Sequence, residues 1–423
     1  MPTSRLFSFF TKERLVNYSI AFGAEFLIMF TGIVLFKIIG VKFGAIGFSE
    51  YTLGKRLLGF LIPFLMIGLG VSLPKFLAIE KPQQQLEIIY TALIIVAFFS
   101  CVSLLAFVSF SSFFSQIVFG DIHHKKLFGM LLIYIFVLML HACIYNYFRG
   151  KFNFKMSGVL QLLNLGILPL LVYFAANSML SYFFILSGLI FFVLLIVTIF
   201  YIPKIKLTTT LIIKCSKKLM SYGVQRMPGD VVLGLFFAIP TFIISNYYSL
   251  IIAGNIAFCL SLFNIIIAVM SPINIILLPE ASRIVSEKKI ELLKTISYKL
   301  LALSLIVGVT ALLFVYLFGE HLLLLFNIND VAQNNTFLFI IFSSVVGYSV
   351  FSIIRSIIDA YYATARVSVI IISAFILFLF IILILKFLHL LSITSILIAF
   401  SLTINLLGAL TYLSLINIYK QKE

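Results

Sequence analysis

Tryptophan is absent from this 423-residue chain and charge is scarce: Asp, Glu, Lys and Arg make up 10% of it, against 63% hydrophobic residues. A soluble domain cannot hide that much apolar surface, whereas a bilayer can. The four cysteines, Cys101, Cys143, Cys215 and Cys259, stand far apart. That excludes a disulfide framework and a cysteine metal site, and leaves them as small apolar fillers. There is no G-x-x-x-x-G-K-[ST] phosphate loop, which argues against ATP hydrolysis within the chain. There is no H-E-x-x-H either. His123 and His124 are adjacent, a spacing unsuited to two ligands on one helix face, and read with Asp121, Lys125 and Lys126 as a solvated polar loop. No cofactor or metal is expected. No long polar segment exists to house a soluble active site, so the chain is not expected to be an enzyme. Without Trp, the interfacial aromatic positions fall to tyrosines such as Tyr18, Tyr51, Tyr145, Tyr147, Tyr247 and Tyr248.

What fills the chain is long apolar runs, in keeping with a mean hydropathy of +1.21. Twelve are expected to cross a membrane as helices: 17–39, 46–74, 87–110, 127–148, 156–177 and 181–202, then 229–250, 253–279, 297–319, 335–360, 367–388 and 391–417. The second could be split at Pro63. The fold class is an all-α polytopic membrane protein. The first run is too long for the core of a cleaved signal and lacks a small-residue cleavage site.

Base outnumbers acid, 30 to 14, for a net charge of +16. With the N-terminus in the cytoplasm, all but seven of the 30 basic residues fall in cytoplasmic segments; the exceptions are Lys37, Lys42, Lys55, Arg56, Lys125, Lys126 and Lys386. Retention of Lys and Arg on that side predicts both termini cytoplasmic and an even number of spans. The basic residues are dispersed among short loops beside anionic headgroups, so nucleic acid is not an expected partner; the bilayer is.

Two halves of six spans are expected, 1–202 and 229–423, joined by a basic connector at 203–228. Within it, 211–223 (LIIKCSKKLMSYG) has the pattern of a short helix lying on the membrane face. The halves resemble a weak direct repeat. Tyr18 and Tyr222 open them in similar settings, Pro74 and Pro279 end their second spans, and an aromatic and basic turn follows their fourth spans, YFRGKF at 147–152 and YYATAR at 361–366. Parallel repeats of this kind relate by an axis along the membrane normal.

A charge at membrane depth costs roughly 2.5–3.5 kcal/mol on insertion scales, so it faces a partner or a cavity. Glu25 lies about eight residues into the first span, and Lys55 and Arg56 lie in the second. A Glu25–Arg56 ion pair and a cavity lining are both compatible with that depth. From Arg56 the same helical face continues through Gly59, Pro63, Ile67 and Gly70, which suits close packing or a bend. Arg226 with Asp230, and Arg355 with Asp359, are each four residues apart on one helix face. They read as interfacial ion pairs or as a basic collar for an anionic headgroup. Asn264, Ser271, Pro272 and Asn274 give the eighth span a polar, kinked middle. His141, alone in the fourth span, reads as a packing histidine.

Four stretches resemble Wzx-type polysaccharide flippases, the O-antigen translocases of the multidrug/oligosaccharidyl-lipid/polysaccharide exporter (MOP) superfamily. They are FGAIGFSEYTLGKRLLGFLIPFLMIGLGVSLPKFLA (43–78), YNYFRGKFNFK (145–155), YGVQRMPGDVVLGLFFAIPTFIIS (222–245) and LLPEASRIVSEKK (277–289). The resemblance spans both halves in order. It implies two six-helix lobes around a central cavity in a bacterial inner membrane. It also implies a substrate, undecaprenyl-pyrophosphate-linked oligosaccharide, with a glycan polymerase and a chain-length regulator as candidate partners. On that reading Lys55, Arg56, Arg226, Arg355, Asn264 and Asn274 bind substrate, while Glu25, Asp230 and Asp359 couple an ion or neutralise the cavity. One departure stands out: many relatives carry a charged residue midway along the seventh span, and 231–245 has none. The rival readings are a drug or cation antiporter of the same superfamily, and a membrane-embedded glycan polymerase or ligase.

Overall fold

Backbone groups in hydrocarbon must be satisfied within their own segment, and these apolar runs do so as helices. The computed structural model describes residues 12–151, 153–268, 277, 281, 284–285, 287, 289–326, 328, 330–362 and 364–420. Among them every regular element is helical, and eleven helices are long and apolar enough to cross a membrane. The first, Lys12–Leu65, is two helices that meet at Gly44, which leaves the helical region with φ 65° and ψ −170°. Only a residue without Cβ adopts that conformation at little cost. The two arms, α1 (12–43) and α2 (45–65), are each long enough to span roughly 30 Å of hydrocarbon. The chain is thus an all-α polytopic membrane protein of about twelve membrane helices.

The rest follow in order: α3 (Leu69–Ile79), α4 (Pro82–Ser109), α5 (Ser111–Phe119), α6 (Lys125–Gly150), α7 (Phe154–Ala175), α8 (Met179–Tyr201), α9 (Thr209–Gly223), α10 (Met227–Tyr247), α11 (Leu250–Ala268), α12 (Ile290–Leu325), α13 (Val331–Tyr361), α14 (Arg366–Phe387) and α15 (Ile393–Lys420). Each expected span overlaps one of these helices. Their ends carry the signals that stop and start helices. Pro82 sits in the first turn of α4. Asn153 accepts from the Met156 amide at 3.1 Å to open α7, and Ser178 with Ser181 forms a capping box on α8.

Three departures from regular helix were not apparent in the sequence pattern. Pro63 stays within α2, and the chain turns a little later, where Ile67 and Gly68 both have positive φ (47° and 76°). Residues 162–167 of α7 form a π-helical segment. In α13 the helix is interrupted at Ser343 and Ser344. There Asn405 of α15 takes up groups freed by the break: its Oδ1 accepts from the Gly347 amide and its Nδ2 donates to the Ser343 carbonyl, each at 3.2 Å.

The chain divides into two compact units. The first holds the described residues of 1–47, 62–114 and 123–225, and α6 runs through its core, burying Leu131, Ile135, Met139, Cys143 and Tyr147. The second holds 48–61, 115–122 and the described residues from Arg226 on. Its core is aromatic, with Phe236, Phe237, Phe263, Phe342, Phe378 and Phe400 buried; Phe237 packs against Phe263, Tyr348 and Phe400 with ring centroids 5.5–5.7 Å apart. Residues 48–61, the first part of α2, therefore group with the second unit.

Candidate functional site

Within the second unit, residues 48–61 lie along α11, and the sequence makes that approach close. A Cβ at Gly254 would collide with Ser49. Thr52 Oγ1 donates to the Gly254 carbonyl at 3.2 Å, or to that of Ser49 at 3.1 Å, and Phe48 packs on Phe258 at 5.5 Å. Two turns on from Ser49, Arg56 reaches the same helix. Its Nη2 donates to the Ala257 carbonyl at 3.1 Å and to Ser261 Oγ. Arg56 is only 7% exposed, and its Nε is buried without a hydrogen-bond partner. The partners of this buried cation are thus neutral. Such a guanidinium retains appetite for an anion, because a full charge in low dielectric is poorly compensated by dipoles alone.

Lys55, the next residue, is exposed, and its Nζ stands 5.2 Å from the Tyr51 ring centroid. Asn264 lies one turn beyond Ser261 on the helical face that carries Ala257 and Ser261, and is half-buried. Asn274, Ser271 and Pro272 fall outside the described residues.

The same unit gathers a second charged cluster at the start of α10 and the end of α13. Arg355 Nη2 donates to Asp230 Oδ1 at 2.7 Å, and Arg355 Nε lies 3.7 Å from Asp359 Oδ2. The sequence spacing points to two local pairs. The geometry keeps the Arg355–Asp359 pair and adds Asp230, so that Arg355 bridges two helices with a carboxylate from each. Arg226 stands one turn before Asp230, at the head of α10. All three bridging side chains are about one-quarter to one-third exposed, so the cluster is open to a ligand rather than sealed.

The first unit holds the remaining polar group. Glu25 is half-buried on α1. His141 is buried, with Nδ1 3.0 Å from the amide nitrogen of Asn164, which sits in the π-helical segment of α7. His141 is therefore a partnered histidine, as its isolation in the fourth span suggested. Asn164 Oδ1 is buried with no partner. Tyr145 stacks on His141 at 6.1 Å, one turn along α6. Asn164 carries no signal in the sequence that would have marked it, because a single Asn in an apolar run is common. Among the described residues no group of three or more His, Cys, Asp or Glu is placed to hold a metal ion.

No family model matches the sequence, and no curated protein matches it. Solved structures do resemble the fold. An inward-facing multidrug resistance MATE family transporter of the MOP superfamily superposes with a TM-score of 0.73 at 12% identity, covering 94% of this chain and 93% of that one. The outward-facing form of such a transporter gives 0.65 at 11% identity, covering 96% and 97%. A MOP superfamily transporter from Pyrococcus furiosus, described as having a binding pocket of reversed polarity that suggests a different function, gives 0.67 at 11% identity, covering 96% and 95%. The chain has the fold of MOP superfamily transporters. That fold occurs in inward- and outward-facing forms, the two states that alternating access requires.

Proposed function

We propose that this protein is a flippase that moves an undecaprenyl-pyrophosphate-linked oligosaccharide across the bacterial cytoplasmic membrane by alternating access. The observation that carries the reading is Arg56: a buried guanidinium held by the Ala257 carbonyl and Ser261 Oγ, with Nε unpartnered. A pyrophosphate carries about two negative charges and cannot cross hydrocarbon unaided. Buried and half-buried arginines offset the loss of its hydration, and the Arg guanidinium matches phosphate oxygens in geometry. Neutral partners hold Arg56 in place without neutralising it. Arg355 differs, since Asp230 and Asp359 compete with any incoming anion there, which weakens binding and favours release. The sugar is carried in a hydrated environment while the polyprenyl tail stays in lipid. Both termini and the connector lie in the cytoplasm on this reading, where the bulk of the positive charge is retained.

The rival is a cation or drug antiporter; the similar solved structures include multidrug resistance MATE family transporters. A cationic substrate near Arg56 and Lys55 meets like charge, which disfavours it. The test is delivery of the lipid-linked glycan to the far leaflet in inverted vesicles or proteoliposomes. Delivery that depends on this protein supports the flippase. Absence of delivery together with proton- or sodium-driven efflux of a cationic dye supports the antiporter.

A further inference from the structure

The connector between the units carries a charged surface that the transport reading does not use. From Tyr201 to Gly229 there are five lysines and no Asp or Glu. Within this stretch α9 runs for 15 residues, about 22 Å at 1.5 Å per residue and too short to cross the hydrocarbon. It follows α8, a membrane span that ends at Tyr201, and precedes α10, which begins at Met227. It therefore lies at a membrane surface.

One face of α9 is packed and fixed. Cys215, Leu219 and Gly223 are buried at i, i+4 and i+8. Lys218 pairs with Glu80 at the end of α3 and stands over Phe76 at 4.9 Å. Lys75 stands over Tyr222 at 3.6 Å, and Phe76 meets that ring edge-on at 5.9 Å. At the C-terminal end Gly223 and Gly68 touch backbone to backbone, so a Cβ on either would collide with the other. Glu87 of α4 lies close enough to Cys215 to act on it electrostatically.

Away from this packed face the connector is different. Lys204, Lys206, Lys214 and Lys217 are all exposed. Beside them are exposed apolar side chains: Phe200 is 75% exposed, Tyr201 57% and Ile213 62%. Lysines at headgroup level above side chains that enter the acyl boundary are the composition of a helix seated on an anionic leaflet.

We propose that the lysines of the connector, Lys204 and Lys206 ahead of α9 and Lys214 and Lys217 on it, bind the headgroups of anionic phospholipids. The occupant is a lipid rather than a free phosphate because the lysines flank apolar groups placed to enter the membrane. Because α9 is clamped to α3 beside the left-handed turn at Ile67–Gly68, bound lipid is held against a fixed part of the first unit. This surface is independent of the substrate that the protein carries.

The experiment uses the full-length protein in phosphatidylcholine nanodiscs with and without phosphatidylglycerol. The phosphatidylglycerol retained after transfer to mild detergent is counted by native mass spectrometry, at low and high salt. Wild-type protein retains several-fold more phosphatidylglycerol than Lys204→Gln/Lys206→Gln/Lys214→Gln/Lys217→Gln, and high salt removes most of the difference. The corresponding four arginine substitutions keep the lipid. Lys125→Gln/Lys126→Gln, at exposed lysines elsewhere, leaves retention unchanged. Equal retention by wild type and the glutamine variant overturns the proposal. So does wild-type retention that is insensitive to salt, a result that does not depend on any variant folding.

Discussion

Arg355 and Asp230, 125 residues apart in the chain, meet at 2.7 Å, and Asp359 approaches the same guanidinium at 3.7 Å. One cation on α13 thus reaches α10 through Asp230 while facing Asp359 of its own helix. Replacing Asp230 by Asn leaves Arg355 with the weaker, longer contact; replacing Arg355 by Gln leaves two acids side by side. Each single change is expected to lower protein abundance or the melting midpoint. The double change Asp230→Asn/Arg355→Gln is expected to recover part of the loss. Because all three side chains are partly exposed, the coupling should be modest, about 1 kcal/mol. A double-mutant cycle on the unfolding midpoint measures it, and strict additivity would show that the bridge contributes nothing.

Gly234 and Gly59 make a paired test of helix packing. A Cβ on Gly234 would run into the Gly59 carbonyl and Phe60, whereas a Cβ on Gly59 would meet open space. Gly234→Ala should therefore destabilise by about 1–3 kcal/mol, the usual cost of overpacking. Gly59→Ala should be neutral or slightly stabilising, since Ala is the better helix former. Melting curves of the two variants decide it. The sequence points to Gly59 as the residue that permits close approach; the residue that the approach requires is its partner.

Orientation is testable with single cysteines. Positions 125, 126, 214 and 217 are all exposed. In intact cells an impermeant thiol reagent is expected to label a Cys introduced at 125 or 126 and to spare one at 214 or 217 until the membrane is broken. The reverse pattern would invert the topology and with it the direction of transport.

Glu25 tests coupling. Glu25→Gln is expected to reach normal abundance in the membrane and to lose glycan delivery, the outcome for a carboxylate that binds a proton or cation during the cycle. A fall in abundance would identify Glu25 as a structural ion-pair partner instead.

The number and placement of the membrane helices were legible in the sequence, because a run of about 20 apolar residues has one backbone solution in hydrocarbon. The details that shape the site were not. Pro63 marks a bend but not its place, since proline can remain in a helix whose neighbours take up the freed carbonyl, while the turn falls on Ile67 and Gly68. The interruption of α13 has neither Pro nor Gly at Ser343 and Ser344; it depends on Asn405, some sixty residues away. Arg355 and Asp359 were visible as an i, i+4 pair, but the shorter bond to Asp230 is tertiary. Arg56 was legible as a charge at depth. Its partners, a carbonyl and a serine of α11, are too ordinary to announce themselves.

The central claim rests on Arg56, and one measurement reaches it most directly: delivery of lipid-linked glycan to the opposite leaflet by Arg56→Ala, Arg56→Lys and Ser261→Ala, at matched protein level. The account predicts loss of delivery for Arg56→Ala, partial delivery for Arg56→Lys, which keeps the charge without the planar fork, and an intermediate loss for Ser261→Ala, which frees the guanidinium from one anchor. Full delivery by Arg56→Ala would contradict the account, because a buried cation with only neutral partners would then have no part in carrying an anionic substrate.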